Sequence, residues 1–388
     1  ELGLVEPSLI VNDGIDYGCR PDIEAAYGDK LRPMDAFKDS APAELVDCVG
    51  HDDLMVLMFT SGTTGRSKAV MLSERNFFTT VECQVKFGDA MLDYKHEHMP
   101  EDKNDVLSNF AILPLFHLGT FICLFIWACK GWALNLSADI RDFYRDLGLM
   151  HSDAIAVAPM LMEAIYKDVK RGRRARLNGV WNPCGSSAMF DGAMLAELAQ
   201  QGMMITQVYG MTETCGDGII NYEQDEKHIR AVGKPDDHAE YKLDETGEIC
   251  IRGGCVMLGY YKDPEATAEV LDADGWFHTG DLARVDEDGF YYITGRKKNI
   301  IILDNGENVS PEELENLLSK CEAVKECIVR EKGKKICAVV YCGEADQQTV
   351  RDFITETNRT LPLYKRMSAV EFSAEPLPRT GTGKLLRK

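Results

Sequence analysis

The sequence predicts an α/β protein: a large α/β N-terminal domain with a small antiparallel β region, then a smaller, mobile α+β C-terminal domain. Three observations carry this. Short apolar runs alternate with helical patterns from Leu54 to Val208, as in a mostly parallel sheet covered on both faces. From Gly247 to Ile293 the pattern changes to short strands separated by Gly and Asp turns. After Gly295-Arg-Lys-Lys298 a third pattern begins, and 388 residues are too many for one ordinary core.

The stretch before residue 54 is turn-rich and acidic. Leu54-Met-Val-Leu-Met-Phe59 is a continuous apolar run, read as a strand buried on both faces. A Gly/Ser/Thr loop follows, and Ser73 caps the helix beginning at Glu74. Leu118 to Cys129 is apolar but shorter than the ~20 residues that span a bilayer, so it reads as a buried core helix. Strands are expected at Ala154–Pro159, Val180–Cys184 and Met204–Val208, and helices at Met160–Lys170 and Asp191–Gln201. Ser310-Pro-Glu-Glu starts a helix with a capping serine, Pro at the first helical position and acids in the first turn. Two strands (Val324–Arg330, Lys335–Cys342), a helix near Gln347–Arg359 and an irregular tail complete the C-terminal domain.

The formal charge, 43 − 63 = −20, sets the surface against nucleic acid and anionic lipid. An anionic substrate therefore needs a locally positive site. Thirteen cysteines without a Cys-x-x-Cys pair, mostly inside apolar runs, read as small buried hydrophobes in a reducing cytoplasm. The N-terminus shows no basic-then-apolar leader pattern.

Phe59-Thr-Ser-Gly-Thr-Thr-Gly-Arg-Ser-Lys68 carries the strongest chemical signal. Small residues let backbone N–H groups approach an anion, hydroxyls donate to phosphate oxygens, and Lys68 adds charge. The spacing of Gly62 and Gly65 is not that of the standard P-loop. The segment resembles the phosphate loop of the adenylate-forming superfamily, which includes acyl-CoA synthetases, firefly luciferase and peptide-synthetase adenylation domains. The family's Pro-Lys-Gly stands here as Ser67-Lys68-Ala69. The resemblance implies that Thr60, Ser61, Gly62, Thr63, Thr64, Gly65 and Lys68 close over the β- and γ-phosphates.

Further segments match in the family's order. Val208-Tyr-Gly-Met-Thr-Glu-Thr214 is similar to the Tyr-Gly-x-Thr-Glu segment, implying that Tyr209 stacks on adenine, Thr212 contacts phosphate and Glu213 holds Mg²⁺. Cys184-Gly-Ser-Ser-Ala188 stands at the adenine-lining turn and assigns Gly185, Ser186 and Ser187 to it, although the family's usual Pro is absent. Gly275-Trp-Phe-His-Thr-Gly-Asp281 implies that Asp281 grips both ribose hydroxyls. Ile293-Thr-Gly-Arg-Lys-Lys-Asn299 resembles the hinge segment, with Arg296 also on ribose and Lys298 as pivot. Asp304-Asn-Gly-Glu-Asn-Val-Ser310 resembles the acyl-CoA synthetase version of the next region, implying Gly306 and Glu307 for CoA. His117, in Leu113-Pro-Leu-Phe-His-Leu-Gly119, matches a segment bordering the acyl pocket. Pro376-Leu-Pro-Arg-Thr-Gly-Thr-Gly-Lys384 resembles the C-terminal loop whose lysine bridges carboxylate and α-phosphate.

The expectation is an AMP-forming acid–thiol ligase: ATP and Mg²⁺ activate a carboxylic acid as acyl-adenylate, and CoA takes the acyl group. A carrier-loading adenylating enzyme and a truncated, non-catalytic nucleotide- or acyl-binding protein are the rivals. Domains are expected at 1–295 and 296–388, with the hinge near Lys298 and the first part of the family's N-terminal domain missing. The expected compartment is cytoplasmic, without nucleic-acid partners or a transmembrane segment.

Overall fold

The computed structural model describes residues 10–12, 25, 29–33, 50–60, 67–137, 139–186, 190–216, 218–303, 307–333, 335–379 and 385–386. In chain order come β1 (Ile10–Asn12), β2 (Leu31–Pro33), β3 (Leu54–Thr60), β4 (Lys68–Ser73), α1 (Glu74–His98), β5 (Ser108–Ala111), α2 (Leu118–Cys129) and β6 (Ala133–Leu136). Then follow α3 (Phe143–Leu149), β7 (Ala154–Val157), α4 (Pro159–Lys170), β8 (Asn182–Ser186), α5 (Gly192–Gln200), β9 (Thr206–Gly210) and β10 (Gly218–Asn221). Strands β11 (Ala239–Leu243), β12 (Glu248–Gly253) and β13 (Gly259–Tyr260), helix α6 (Pro264–Val270), and strands β14 (Phe277–Val285) and β15 (Tyr291–Arg296) come next. The chain continues through β16 (Ile301–Ile302), β17 (Asn308–Val309), α7 (Pro311–Leu318), β18 (Glu326–Lys332), β19 (Lys335–Tyr341), α8 (Gln347–Thr360) and β20 (Ala369–Ser373).

The central sheet has the order β10-β9-β8-β7-β5-β6. Every pair in it is parallel except β10 on β9. Strand alternation sends neighbouring residues to opposite faces, and both faces are dry. On one, Ala154, Trp181 and Met204 meet Phe77 and Met91 of α1 and Ile122, Ile126 and Trp127 of α2. On the other, Phe110, Ile155, Val157 and Ile205 meet Leu147 of α3, Met162 and Ile165 of α4, and Leu195 and Leu198 of α5. Each fully buried aliphatic contributes about 1.5–3 kcal/mol, so the two-faced sheet is what the apolar runs stabilise.

Helix starts are set by local chemistry. Ser73 and Asn76 form a capping box on α1, Asp191 caps α5, and Ser310 caps α7 ahead of Pro311. Helix α2 has the bounds and the buried stripe expected of a core helix, and no helix among the described residues is long and apolar enough to cross a membrane.

Several expectations are corrected. Strand β3 is not buried on both faces. Among the described residues it pairs antiparallel with β4 at the edge of a three-stranded sheet, with Met58 buried and Leu54 and Met55 over 40% exposed (43% and 44%). An apolar run alone does not distinguish a central strand from an edge strand. Strands β8 and β9 start two residues later than the apolar runs suggest, because Val180, Trp181 and Met204 approach the sheet from the preceding connections. Pro159 begins α4 rather than ending a strand. The tail contains β20, which pairs parallel with β19, a non-local pairing with no local turn signal.

Strands β11, β12, β14 and β15 form the expected antiparallel sheet. A small cluster of Ile219, Ile249, Ile251, Ala283, Tyr291 and Tyr209 seats it against β9 and β10. Beyond β15, a separate apolar cluster runs from Ile301 to Phe372 and joins α7 and α8 to the β18-β19-β20 sheet.

Candidate active site

Tyr209 of β9 and Arg296 of β15 converge on one buried carboxylate, Asp281 of β14. Asp281, 4% exposed, is directly opposite Arg296 in the β14–β15 register, and Arg296 Nε lies 2.7 Å from Asp281 Oδ1. Tyr209 of β9 is buried and donates its hydroxyl to Asp281 Oδ2 at 3.2 Å. Burial first, then the negative charge of Asp281, holds the Tyr209 phenol well above its ordinary range, so it remains a neutral donor. Three residues assigned to adenosine are thus brought together across 87 positions of sequence, from 209 to 296. Beside them lies a cleft of about 330 Å³ lined by Thr279, Gly280, Arg296, Lys297 and Lys298. A second cavity, about 360 Å³ beside Tyr144 and Arg176, shares no residue with this site.

A second convergence joins the start of β4, which follows the Gly/Ser/Thr segment, to Glu213. Lys68 Nζ lies 4.3 Å from the centroid of the Tyr260 ring, and the Tyr260 hydroxyl donates to Glu213 Oε1 at 2.9 Å. Strand β13 pairs with β4, which brings Tyr260 there. Gly259 adopts φ +137°, and a Cβ on it would lie 2.8 Å from Thr267 Cγ2, so only glycine fits before this tyrosine. Sequence reasoning did not single out Tyr260. Its signal was the Gly259-Tyr260 pair, whose partner strand no local pattern reveals. Glu213 is partly buried and its backbone carbonyl accepts from Met257 N–H at 2.9 Å. A hard carboxylate with one oxygen oriented by a hydroxyl, on the same tyrosine as Lys68, fits a Mg²⁺ ligand whose shell phosphates would complete.

Thr60 ends β3, with its hydroxyl 3.5 Å from the Lys68 carbonyl. Thr212 opens the short 3-10 turn that carries Glu213. Gly185 is buried in β8, and a Cβ on it would lie 2.4 Å from the Phe190 ring. Ser186 ends the same strand. His117 caps the start of α2, with its backbone carbonyl accepting from Thr120 and Phe121. Lys298 sits in the 3-10 turn Lys297–Asn299, and Glu307 is exposed with its carbonyl accepting from Leu303 N–H at 3.0 Å. Neither His117 nor Glu307 is brought into the two clusters above. Ser61, Gly62, Thr63, Thr64, Gly65, Ser187, Gly306 and Lys384 lie outside the described residues.

The AMP-binding enzyme family model matches residues 16–261, well over half of the chain, and the model of the AMP-binding enzyme C-terminal domain matches residues 313–384. The chain belongs to the AMP-binding enzyme family. The match begins at residue 16, inside a stretch where sequence reading placed no family segment. Among curated AMP-binding relatives, 4-coumarate–CoA ligase 3 of Oryza sativa is 29% identical over 91% of this chain and 66% of its own length. The long-chain-fatty-acid–CoA ligase of Salmonella typhimurium is 30% identical, with coverages of 87% and 61%. Feruloyl-CoA synthase of Amycolatopsis is 32% identical, with coverages of 93% and 74%. The chain thus spans roughly two-thirds of the length of these relatives. The fold is that of o-succinylbenzoate CoA synthetase from Bacillus subtilis bound to its acyl-adenylate, with a TM-score of 0.78 at 24% identity, covering 100% of this chain and 78% of that one. ATP-bound MatB from Rhodopseudomonas palustris gives 0.78 at 23% identity, covering 100% and 79%.

Proposed function

We propose that this chain activates a carboxylic acid with ATP as its acyl-adenylate and then transfers the acyl group to CoA. The observation that carries the reading is the double convergence: Tyr209 and Arg296 on Asp281, and Lys68 on the ring and Glu213 on the hydroxyl of Tyr260. Ribose recognition and phosphate recognition need different chemistry, and the two clusters differ in that way. Asp281 accepts from ribose hydroxyls, a task suited to a buried carboxylate. Lys68, with the loop Ser61–Gly65, binds the β- and γ-phosphates. Mg²⁺ held by Glu213 supplies charge neutralisation at the phosphates when bound.

The reaction brings two anions together, a carboxylate oxygen and the α-phosphate. The oxygen attacks phosphorus, the bond to pyrophosphate breaks, and negative charge moves onto the departing group. Lys384 bridges the two anions in this reading, and Thr212 contacts phosphate; both act by position and charge rather than covalently. Tyr209, Gly185, Ser186 and Ser187 form the adenine side, and His117 borders the acid. The chain divides at 295/296 into two domains hinged near Lys298. Turning the C-terminal domain withdraws Lys384 and brings Gly306 and Glu307 to the thiol, which displaces AMP. Closure in each state keeps water from the mixed anhydride. Eight of the eleven described cysteines are buried like small hydrophobes, which supports a reducing, cytoplasmic compartment.

Acid-dependent ATP–pyrophosphate exchange tests the reading across a panel of aryl and alkyl acids. Exchange is expected with at least one acid, and Lys384→Ala should lower it about a thousandfold, the scale of removing one fixed cation from a charge-developing step. Nucleotide binding without exchange for any acid would leave a binding module instead.

A further inference from the structure

Glu248 opens β12 and is 3% exposed, so its charge is costly unless each oxygen is used. Each oxygen is used, by a different part of the site. Oε1 accepts from Gly280 N–H at 2.7 Å, and Oε2 lies 2.7 Å from Lys297 Nζ. The Gly280 contact falls on an irregularity in the sheet. Between the pairs Glu248↔Leu282 and Cys250↔His278 the register shifts, so β14 bulges at Thr279–Asp281. Gly280 takes φ +72° there, with no atom of the described residues within 4 Å of where a Cβ would sit. Thr279 closes the bulge by donating its hydroxyl to Ile249 O at 2.8 Å and accepting Asp281 N–H at 3.1 Å. The bulge lines the cleft, and its last residue is Asp281.

The Lys297 contact falls on the hinge turn. Lys297 is backed by Asp244 at 3.7 Å as well as Glu248, and the hydrogen bond to Glu248 holds its ammonium above the usual lysine range. On the far side of Lys298, Asn299 donates to Glu312 Oε1 of α7 at 2.6 Å. The turn is therefore anchored to the four-stranded sheet upstream and to the C-terminal segment downstream.

We propose that Glu248 is a positioning residue that ties the ribose-facing bulge to the upstream edge of the hinge. One oxygen shapes the backbone that presents Asp281. The other keeps Lys297 with the large domain, so that rotation begins after it. The assignment of ribose site and hinge rests on the ligase reading; the two anchors rest on the hydrogen bonds alone.

The test separates the anchors with three variants of the full chain, using amide hydrogen exchange without nucleotide and then the two half-reactions. Glu248→Ala should accelerate exchange at Gly280 about tenfold or more and raise KM for ATP more than it lowers kcat. Glu248→Gln keeps an acceptor for Gly280 but loses the charge facing Lys297. Lys297→Met loses the same ion pair from a half-exposed position. Both should leave Gly280 protected, accelerate exchange at Ile300, whose N–H donates to Lys297 O at 3.4 Å, and lower thioester formation about tenfold more than pyrophosphate exchange. A Gly280 amide indifferent to Glu248→Ala, or an Ile300 amide indifferent to both other variants, overturns the proposal. So does a parallel fall of both half-reactions in Lys297→Met. Absence of acid-dependent exchange in the unmodified protein defeats the ligase reading alone, while the amide rates still decide the anchors.

Discussion

Asp281 and Glu213 are the carboxylates of the two convergences, and their charges are handled in opposite ways. Asp281 is buried and meets Arg296 directly at 2.7 Å, with Tyr209 as a second donor. Glu213 is only partly buried, and its neighbouring cation Lys68 is reached through the Tyr260 ring rather than by contact. Burial and the adjacent Glu213 hold the Tyr260 phenol far above its usual range, so the spacer stays neutral. The difference suits the two jobs proposed for them. A ribose is uncharged and needs a pre-aimed acceptor whose charge is already balanced. Phosphates and a cation need charges not yet neutralised by each other, and a neutral aromatic spacer preserves them.

The balanced side should be the more fragile. Asp281→Ala leaves a partly buried guanidinium and removes the acceptor of a buried phenol. Stability should fall by about 2 kcal/mol, below the 3–5 kcal/mol of a fully buried pair because Arg296 is 44% exposed. AMP affinity should fall about a hundredfold, on the scale of hydrogen bonds to a charged group. Urea unfolding and calorimetric titration measure the two effects. AMP binding within threefold of the unmodified protein would remove Asp281 from the ribose site.

On the other side the spacer can be dissected. Tyr260→Phe keeps the ring for Lys68 and deletes the hydroxyl on Glu213. The loss should be about fivefold in kcat/KM for Mg·ATP, the worth of one hydrogen bond of roughly 1 kcal/mol. Tyr260→Leu removes the ring as well, and Lys68 and Glu213 become free to pair. A further drop in Mg²⁺ affinity is expected, read from the Mg²⁺ dependence of pyrophosphate exchange. Equal behaviour of the two variants would mean that the ring has no separating role.

Much of the fold was legible because it is local. Capping by Ser73, Asp191 and Ser310 needs only a few neighbouring residues, and the bounds of α2 follow one apolar run. Motif order likewise pointed to Tyr209, Glu213, Asp281 and Arg296. What stayed hidden depends on pairings between distant segments. Tyr260 matters because β13 lies beside β4, and Glu248 because a register shift turns a backbone N–H toward it. The edge position of β3 and the pairing of β20 are hidden for the same reason.

The smallest effect is expected at the opposite end of the β14–β15 hairpin, where a third set of carboxylates surrounds His228. Its ring stacks on Phe290 at 4.0 Å, Nδ1 lies 2.9 Å from Asp225 and Nε2 lies 3.1 Å from Asp288. Burial alone would lower its pKa, but hydrogen bonds to Asp225 and Asp288 outweigh it and the net shift is upward. The folded protein therefore holds this proton more tightly than the unfolded chain. That stabilisation is fully present below the ordinary histidine value of about 6.5 and is lost as pH rises through the folded value. His228→Gln should lower the urea midpoint at about pH 6 and do so less at about pH 8.5. AMP affinity should be unchanged, because the pair Asp281–Arg296 closes the other end of the hairpin independently. A midpoint difference that does not vary with pH would mean that the imidazole acts there by stacking rather than by charge.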